Sequence, residues 1–239
     1  MNAILLSAGL GTRLRPLTNN LPKALIAINN QPILKLNLDK LHEFGIKRVV
    51  VNVHYLSDKI INYLKNITYP NMEILISDES DMLLDTGGAL LKAKDLFIKD
   101  EPILIHNVDI LSGTNLNELL EYKTLNNIDA LLVVQDRSNP RKLIFDNADR
   151  LVGWINHKSS EKKILKNVAL PTKEYGFSGI SLISYDLLRD IPFNGAFSII
   201  SLFLYWSEKY NVSYYEDTES YWFDIGTLDS LMEANKFFK

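Results

Sequence analysis

Short continuous apolar runs alternate along this chain with stretches whose apolar residues recur every three or four positions. The runs Ala3–Leu6, Lys47–Val53, Glu73–Ser77, Pro102–His106 and Asp129–Val134 have the length and composition of buried strands. Between them, Ile33, Leu34, Leu36, Leu38, Leu41 and Phe44 form a helical stripe closed by Gly45 at a C-cap position. Ser57 is placed to cap a second helix through Ile60, Ile61 and Leu64, and Thr114 to cap a later one ending at Leu125. Ala89–Phe97 predicts a helix with Gly87 and Gly88 at its N-terminus.

This alternation argues for an α/β fold: a Rossmann-like three-layer α/β/α sandwich around a mostly parallel sheet. The pattern changes in the middle of the chain. Arg141–Phe145 and Leu151–Ile155, joined by the turn-rich Asp146–Asp149, predict a hairpin. Residues 156–173 are polar and predict a mobile flap. Tyr175–Ile183 returns as a strand, helices follow near Tyr185–Asp190 and Ile199–Tyr210, then a strand at Val212–Glu216 and a final helix over Leu228–Phe238. No internal repeat or long linker divides the chain. One domain over 1–239 is expected, with 1–135 mainly a nucleotide-binding part and 136–239 mainly a β-rich sugar-binding part and the C-terminal helix.

Composition narrows the function more than the fold. With 46% hydrophobic residues, 23% charged and a net charge of −3, no global field draws the chain to nucleic acid. The absence of cysteine removes disulfide, thiolate and Cys-based zinc chemistry. The four histidines lack metal-ligand spacing. No signal-peptide pattern opens the chain and no apolar run approaches the roughly 20 residues that span a bilayer, so a soluble cytoplasmic protein with no membrane partner is expected.

Candidate chemistry begins where the first strand ends. Ser7-Ala8-Gly9-Leu10-Gly11-Thr12-Arg13 leads through Arg15 to Pro22-Lys23. Glycines let a backbone approach a ligand, successive amides cradle anions, and Arg13, Arg15 and Lys23 neutralise phosphate charge. The bland alternative is a strand-to-helix turn with solvating cations. Leu14 stands where a dinucleotide fingerprint wants glycine, and a Gly-Lys-Ser/Thr run is absent, so neither common phosphate loop applies. Asp109 and Asp224 each follow an apolar stretch at a predicted strand end, where open sheets bind ligands.

The run Gly9-x-Gly11-Thr12-Arg13-Leu14-x-Pro16-Leu17-Thr18 with Pro22-Lys23-Ala24-Leu25 resembles the signature of the sugar-1-phosphate nucleotidyltransferases. Asp85-Thr86-Gly87-Gly88, Asn107-Val108-Asp109 and Trp222-x-Asp224-Ile225-Gly226-Thr227 follow in that family's order, so the resemblance covers nearly the whole chain. It implies the nucleotidyltransferase fold and transfer of a nucleoside monophosphate from an NTP to a sugar 1-phosphate, with release of pyrophosphate. Arg13, Lys23 and Asp109 are the implied catalytic residues. Ala8, Gly9, Gly11, Thr12, Arg13 and Lys23 would hold the nucleotide, with Gly87, Gly88 and Glu79 at the base. Asn107, Ser178 and Gly179 would contact the sugar. Asp109 and Asp224 match the family's metal ligands, and two carboxylates beside phosphates suit Mg²⁺.

Two departures stand out. Many relatives have Asn-Gly-Asp where this chain has Asn107-Val108-Asp109. Many also carry a Glu-Lys-Pro tripeptide whose lysine holds the sugar phosphate; none occurs between 141 and 175, and Lys158, Lys162 and Lys163 are the possible substitutes. The compact chain looks most like N-acetylmuramate 1-phosphate uridylyltransferases of cell-wall recycling, which favours UTP. Guanylyltransferases acting on mannose or heptose 1-phosphate are the nearest alternative, and a regulatory protein that binds nucleotide sugars without turnover is another. A monomer or small homo-oligomer is expected.

Overall fold

The computed structural model describes residues 1–239 except Lys166, Asn167 and Ala169. Chain order begins with β1 (Asn2–Leu6), the short β2 (Ala27–Ile28) and β3 (Gln31–Pro32), and α1 (Ile33–Glu43). β4 (Arg48–Val53), α2 (Ser57–Leu64), β5 (Glu73–Asp78), α3 (Asp85–Ala93), β6 (Ile103–Asn107), β7 (Ile110–Ser112) and α4 (Leu116–Leu125) follow. The second half holds β8 (Ala130–Gln135), β9 (Arg141–Phe145), β10 (Leu151–Asn156), β11 (Glu161–Ile164) and the long β12 (Lys173–Ile183). It closes with α5 (Ile199–Ser207), β13 (Val212–Glu216), β14 (Trp222–Asp224) and α6 (Leu228–Phe237).

The expected α/β sandwich is present. β5, β4, β1 and β6 pair in parallel. β12 then runs antiparallel to β6 and to β8, and β13 pairs in parallel with β8. Strands of this sheet alternate their side chains between two buried faces. Leu5, Val49 and Val51 pack with Leu38 and Leu41 of α1, Ile60 of α2 and Leu119 of α4 on one side. Ile4 and Val50 pack with Leu90 of α3 and Phe203 and Trp206 of α5 on the other. The continuous apolar runs read from the sequence follow from this double burial. No described helix is long and apolar enough to cross a membrane.

The first part of β12 pairs with β9, and β10 and β11 extend that hairpin. Part of the expected flap is therefore strand: Glu161–Ile164 pairs antiparallel with Gly153–Asn156. The rest of that expectation falls partly on residues 166, 167 and 169, outside the described residues. Helix caps also differ from expectation. Asn115, not Thr114, accepts from the amides of Asn117 and Glu118 at the start of α4; Thr114 instead donates to the buried Asp217 carboxylate. Ser57 is the first residue of α2 and makes no capping bond. Gly45, at φ +73, reverses the chain after α1 as the sequence predicts.

Candidate functional site

Four loops at the carboxyl ends of β1, β4, β6 and β14 build the site. Ser7 donates its amide to Asn52 Oδ1 at 2.6 Å, fixing the exit of β1 against β4. Gly11 has φ +62, and a Cβ there would lie 2.9 Å from Thr18 Cγ2. Its carbonyl accepts from Thr18 Oγ1 at 2.8 Å. Gly11 therefore shapes the loop, whereas Gly9 has open space at its Cα. Thr12 is exposed, and Leu14 is fully buried, so the loop is pinned just beyond Arg13.

The two aspartates, more than a hundred residues apart, are united by a short ribbon. β14 pairs antiparallel with β7, with Asp224 opposite Ile110. The Ile225 amide donates to Asp109 O at 2.8 Å. Val108 is buried in the core and its carbonyl accepts from Asn37 Nδ2 at 2.8 Å. Its φ is not positive, so valine in place of glycine leaves the Asp109 turn intact. Lys23, itself buried, forms an ion pair with Asp109 Oδ2. Asp224 Oδ1 is buried with no hydrogen-bond partner. Burial and the neighbouring Asp109 raise the Asp224 pKa, against the pull of Lys23, Arg13 and Arg137. Two converging carboxylates, one with an orphaned buried oxygen, make a donor set suited to a hard divalent cation. Among the described residues no third acidic or histidine ligand joins them.

Two cavities meet at this point. One, of about 470 Å³, is lined by Ala8, Gly9, Asn52, Asp85 and Thr86 among others. The second, of about 280 Å³, is lined by Arg13, Arg137, Ser178, Gly179, Trp222 and Asp224 among others. Asn107 and Asp109 line both. Gly179, at φ +83, lets β12 pass close to Asn107: a Cβ would lie 2.9 Å from its Nδ2. The structure thus gathers Ala8, Gly9, Arg13, Asn107, Asp109, Ser178, Gly179 and Asp224 around two cavities that share Asn107 and Asp109, with Lys23 paired to Asp109.

The three residues expected at the base make close contacts within the protein. A Cβ on Gly87 would lie 2.4 Å from the Phe197 ring, and one on Gly88 would lie 2.3 Å from Gly195 O. The Gly87 amide is already taken by Phe197 O at 2.8 Å. These glycines let the 195–197 segment dock on α3, and they sit inside its first turn because the helix starts at Asp85. Glu79 is fully buried. Its carboxylate accepts from Asn52 Nδ2 at 2.8 Å and from the Leu84 amide at 3.3 Å, so it braces the cavity wall from behind.

Sequence reasoning missed the residues that line the second cavity from the β8–β9 connection, β9 and β10: Arg137, Arg141, Lys142 and Trp154. The signal available was the cationic, turn-rich run Asp136–Lys142. Lys158, Lys162 and Lys163 are exposed on the β10–β11 hairpin and do not line the cavity.

Comparison with known proteins fits this arrangement. The nucleotidyl transferase family model matches residues 2–143. The chain is 29% identical over 231 residues to a mannose-1-phosphate guanyltransferase of Yarrowia lipolytica, covering 95% of this chain and 61% of that protein. It is 38% identical over 109 residues to an N-acetylmuramate alpha-1-phosphate uridylyltransferase of Caulobacter vibrioides, covering 45% of each. It therefore spans about half to three-fifths of the length of these curated relatives. A UDP-glucose pyrophosphorylase from Acinetobacter baumanii shares the fold, with a TM-score of 0.80 at 15% identity over 99% of this chain and 92% of that one.

Proposed function

Because the chain belongs to the nucleotidyl transferase family, we propose that it transfers a nucleoside monophosphate from an NTP to a sugar 1-phosphate. The observation that carries this reading is that two cavities share Asn107 and Asp109. An NTP in the first and a sugar phosphate in the second would meet at that wall. A phosphate oxygen of the sugar 1-phosphate attacks the α-phosphorus. A new P–O bond forms, the bond from the α-phosphorus to the bridging oxygen breaks, and pyrophosphate leaves with its electron pair.

Such a displacement crowds negative charge, so the protein contributes position and neutralisation. The amides at Ala8 and Gly9 cradle the triphosphate. Lys23, paired with Asp109, is placed to neutralise the reacting phosphates. Arg13, beside Asp224 and Gly226, draws in the triphosphate tail. Asp109 and Asp224 would hold Mg²⁺, which supplies Lewis-acid activation of the α-phosphate.

The favoured pair is UTP with N-acetylmuramate 1-phosphate. Its support is the charge of the second cavity: Arg13, Arg137, Arg141 and Lys142 line it against two carboxylates, Asp109 and Asp224. That surplus suits a sugar bearing a carboxylate besides its phosphate. The match to a mannose-1-phosphate guanyltransferase over 95% of the chain supports the alternative, GTP with mannose 1-phosphate. A matrix of NTPs against sugar 1-phosphates, read as released pyrophosphate, tests both. Turnover is expected with UTP and N-acetylmuramate 1-phosphate. Preference for GTP with mannose 1-phosphate selects the alternative, and silence from every pair rejects the enzyme reading.

A further inference from the structure

The second cavity must hold a phosphate next to two carboxylates, which requires a fixed cation on the sugar side. The Glu-Lys-Pro lysine implied by the resemblance is absent, and its three sequence substitutes lie outside the cavity. Four cations line it, and they are not equivalent. Arg13 lies against Gly226, on the side of the opening loop. Lys142 donates from Nζ to Arg137 O at 2.6 Å and sits 3.8 Å from Asp136, so it is engaged in fixing the β8–β9 connection. Arg141 is exposed.

Arg137 differs from the other three. Its guanidinium carbon stands 3.6 Å from the centroid of the Trp222 ring. Its Nη2 donates to Phe177 O, while among the described residues Nη1 has no protein partner. The Trp222 indole is fixed in turn by donating from Nε1 to Ser178 O at 2.9 Å. Gly176 leaves the room required, since a Cβ there would lie 2.9 Å from Arg137 Nε. The group is therefore clamped on a rigid aromatic face, half-buried, in the same cavity as Asp109, Asp224 and Asn107. A planar guanidinium matches two phosphate oxygens at once, and stacking on an aromatic ring orients the fork without further loss of rotamer freedom.

We propose that Arg137, laid on the Trp222 ring, is the residue that holds the phosphate of the sugar 1-phosphate. Trp222 is its positioning residue. The assignment rests on the nucleotidyl-transfer reading and replaces the missing tripeptide lysine with a cation from the β8–β9 connection.

The test is steady-state kinetics of the wild type, Arg137→Gln, Arg137→Lys and Trp222→Phe, varying each substrate against saturating partner. Arg137→Gln is expected to raise KM for the sugar 1-phosphate about 10- to 100-fold, the range of a lost charge-assisted hydrogen bond. KM for the NTP should stay within about twofold, as its cavity does not include Arg137. Arg137→Lys should recover part of the loss, because charge is kept and the fork is not. Trp222→Phe keeps a ring under the guanidinium and should raise the same KM by a smaller factor. Unchanged KM for the sugar phosphate in an active Arg137→Gln enzyme overturns the assignment and leaves the nucleotidyl-transfer reading standing. Equal rises in both KM values, with a lowered melting temperature, reduce Arg137 to a brace for β12 and overturn it as well. Should Arg137→Gln not fold, Arg137→Lys decides by the same split. A wild type that releases no pyrophosphate with any pair removes the assignment along with the reading beneath it.

Discussion

Asp109 stands at the wall between the two cavities and carries the Lys23 ion pair. Replacing it with asparagine keeps the shape and the turn but removes the charge that would hold a cation and park the lysine. Asp109→Asn should cut kcat by orders of magnitude, and it should lower the melting temperature without unfolding the protein, since it leaves the buried Lys23 without its partner. Near-wild-type turnover in that variant would end the metal role. His106, by contrast, is a stability residue. It is fully enclosed in β6 and bonds Asn107 O through Nδ1 at 2.8 Å. Burial, with Lys40 adding to it, pushes its pKa down from 6.5 to about 4. The folded protein binds this proton more weakly than the unfolded chain, so the contribution is complete above pH 6.5 and is lost as pH falls towards 4. The loss from this group amounts to about 3 kcal/mol at most. Urea midpoints between pH 7 and pH 4.5 should fall in the wild type and fall less in His106→Gln. Equal slopes in the two proteins would show that other groups govern the acid limb.

At the scale of elements, strands and helices with continuous or periodic apolar positions were legible, because burial on one face or two writes directly into residue order. Their ends were less so. Thr114 looked like a cap, yet Asn115 caps α4 while Thr114 binds Asp217 from a different segment. The twin glycines of α3 looked like ligand contacts, but their missing side chains admit the 195–197 segment. That partner arrives from a distance no local pattern reveals. Gly88→Ala should cost about 1–3 kcal/mol, the usual penalty for forcing atoms into a packed contact. Its Cβ would sit 2.3 Å from a backbone carbonyl that has no flexible end to move. An unchanged denaturation midpoint would mean that the 195–197 segment yields freely. β11 was hidden for another reason. Its residues are exposed and three of the four are charged, so pairing at the sheet edge is recorded only in backbone hydrogen bonds.

At the scale of the whole molecule, the nucleotidyl-transfer reading, with two cavities that share Asn107 and Asp109, predicts direct transfer between two bound substrates. The shared wall offers Asn107 and Asp109, and the chain contains no cysteine. No covalent nucleotidyl-enzyme is therefore expected, and labelled pyrophosphate should not exchange into the NTP unless sugar 1-phosphate is present. Exchange with the NTP alone would refute direct transfer.

Sequence by itself determined the α/β class, the glycine- and cation-bearing loop at Gly9–Lys23 and the two acidic strand ends, since these depend on residue type and local order. It also excluded thiol and disulfide chemistry outright. Only tertiary structure decided that Asp109 and Asp224 face each other, because the β7–β14 ribbon joins segments distant in the chain. Only packing showed that Glu79 braces Asn52 and Leu84 and that Gly87 and Gly88 admit the 195–197 segment. Packing likewise brought Arg137 onto Trp222, a contact between a loop and a strand 85 residues further on. Local sequence encodes backbone preference and burial, whereas a site made of side chains from several strand ends exists only once the sheet has set their order and register.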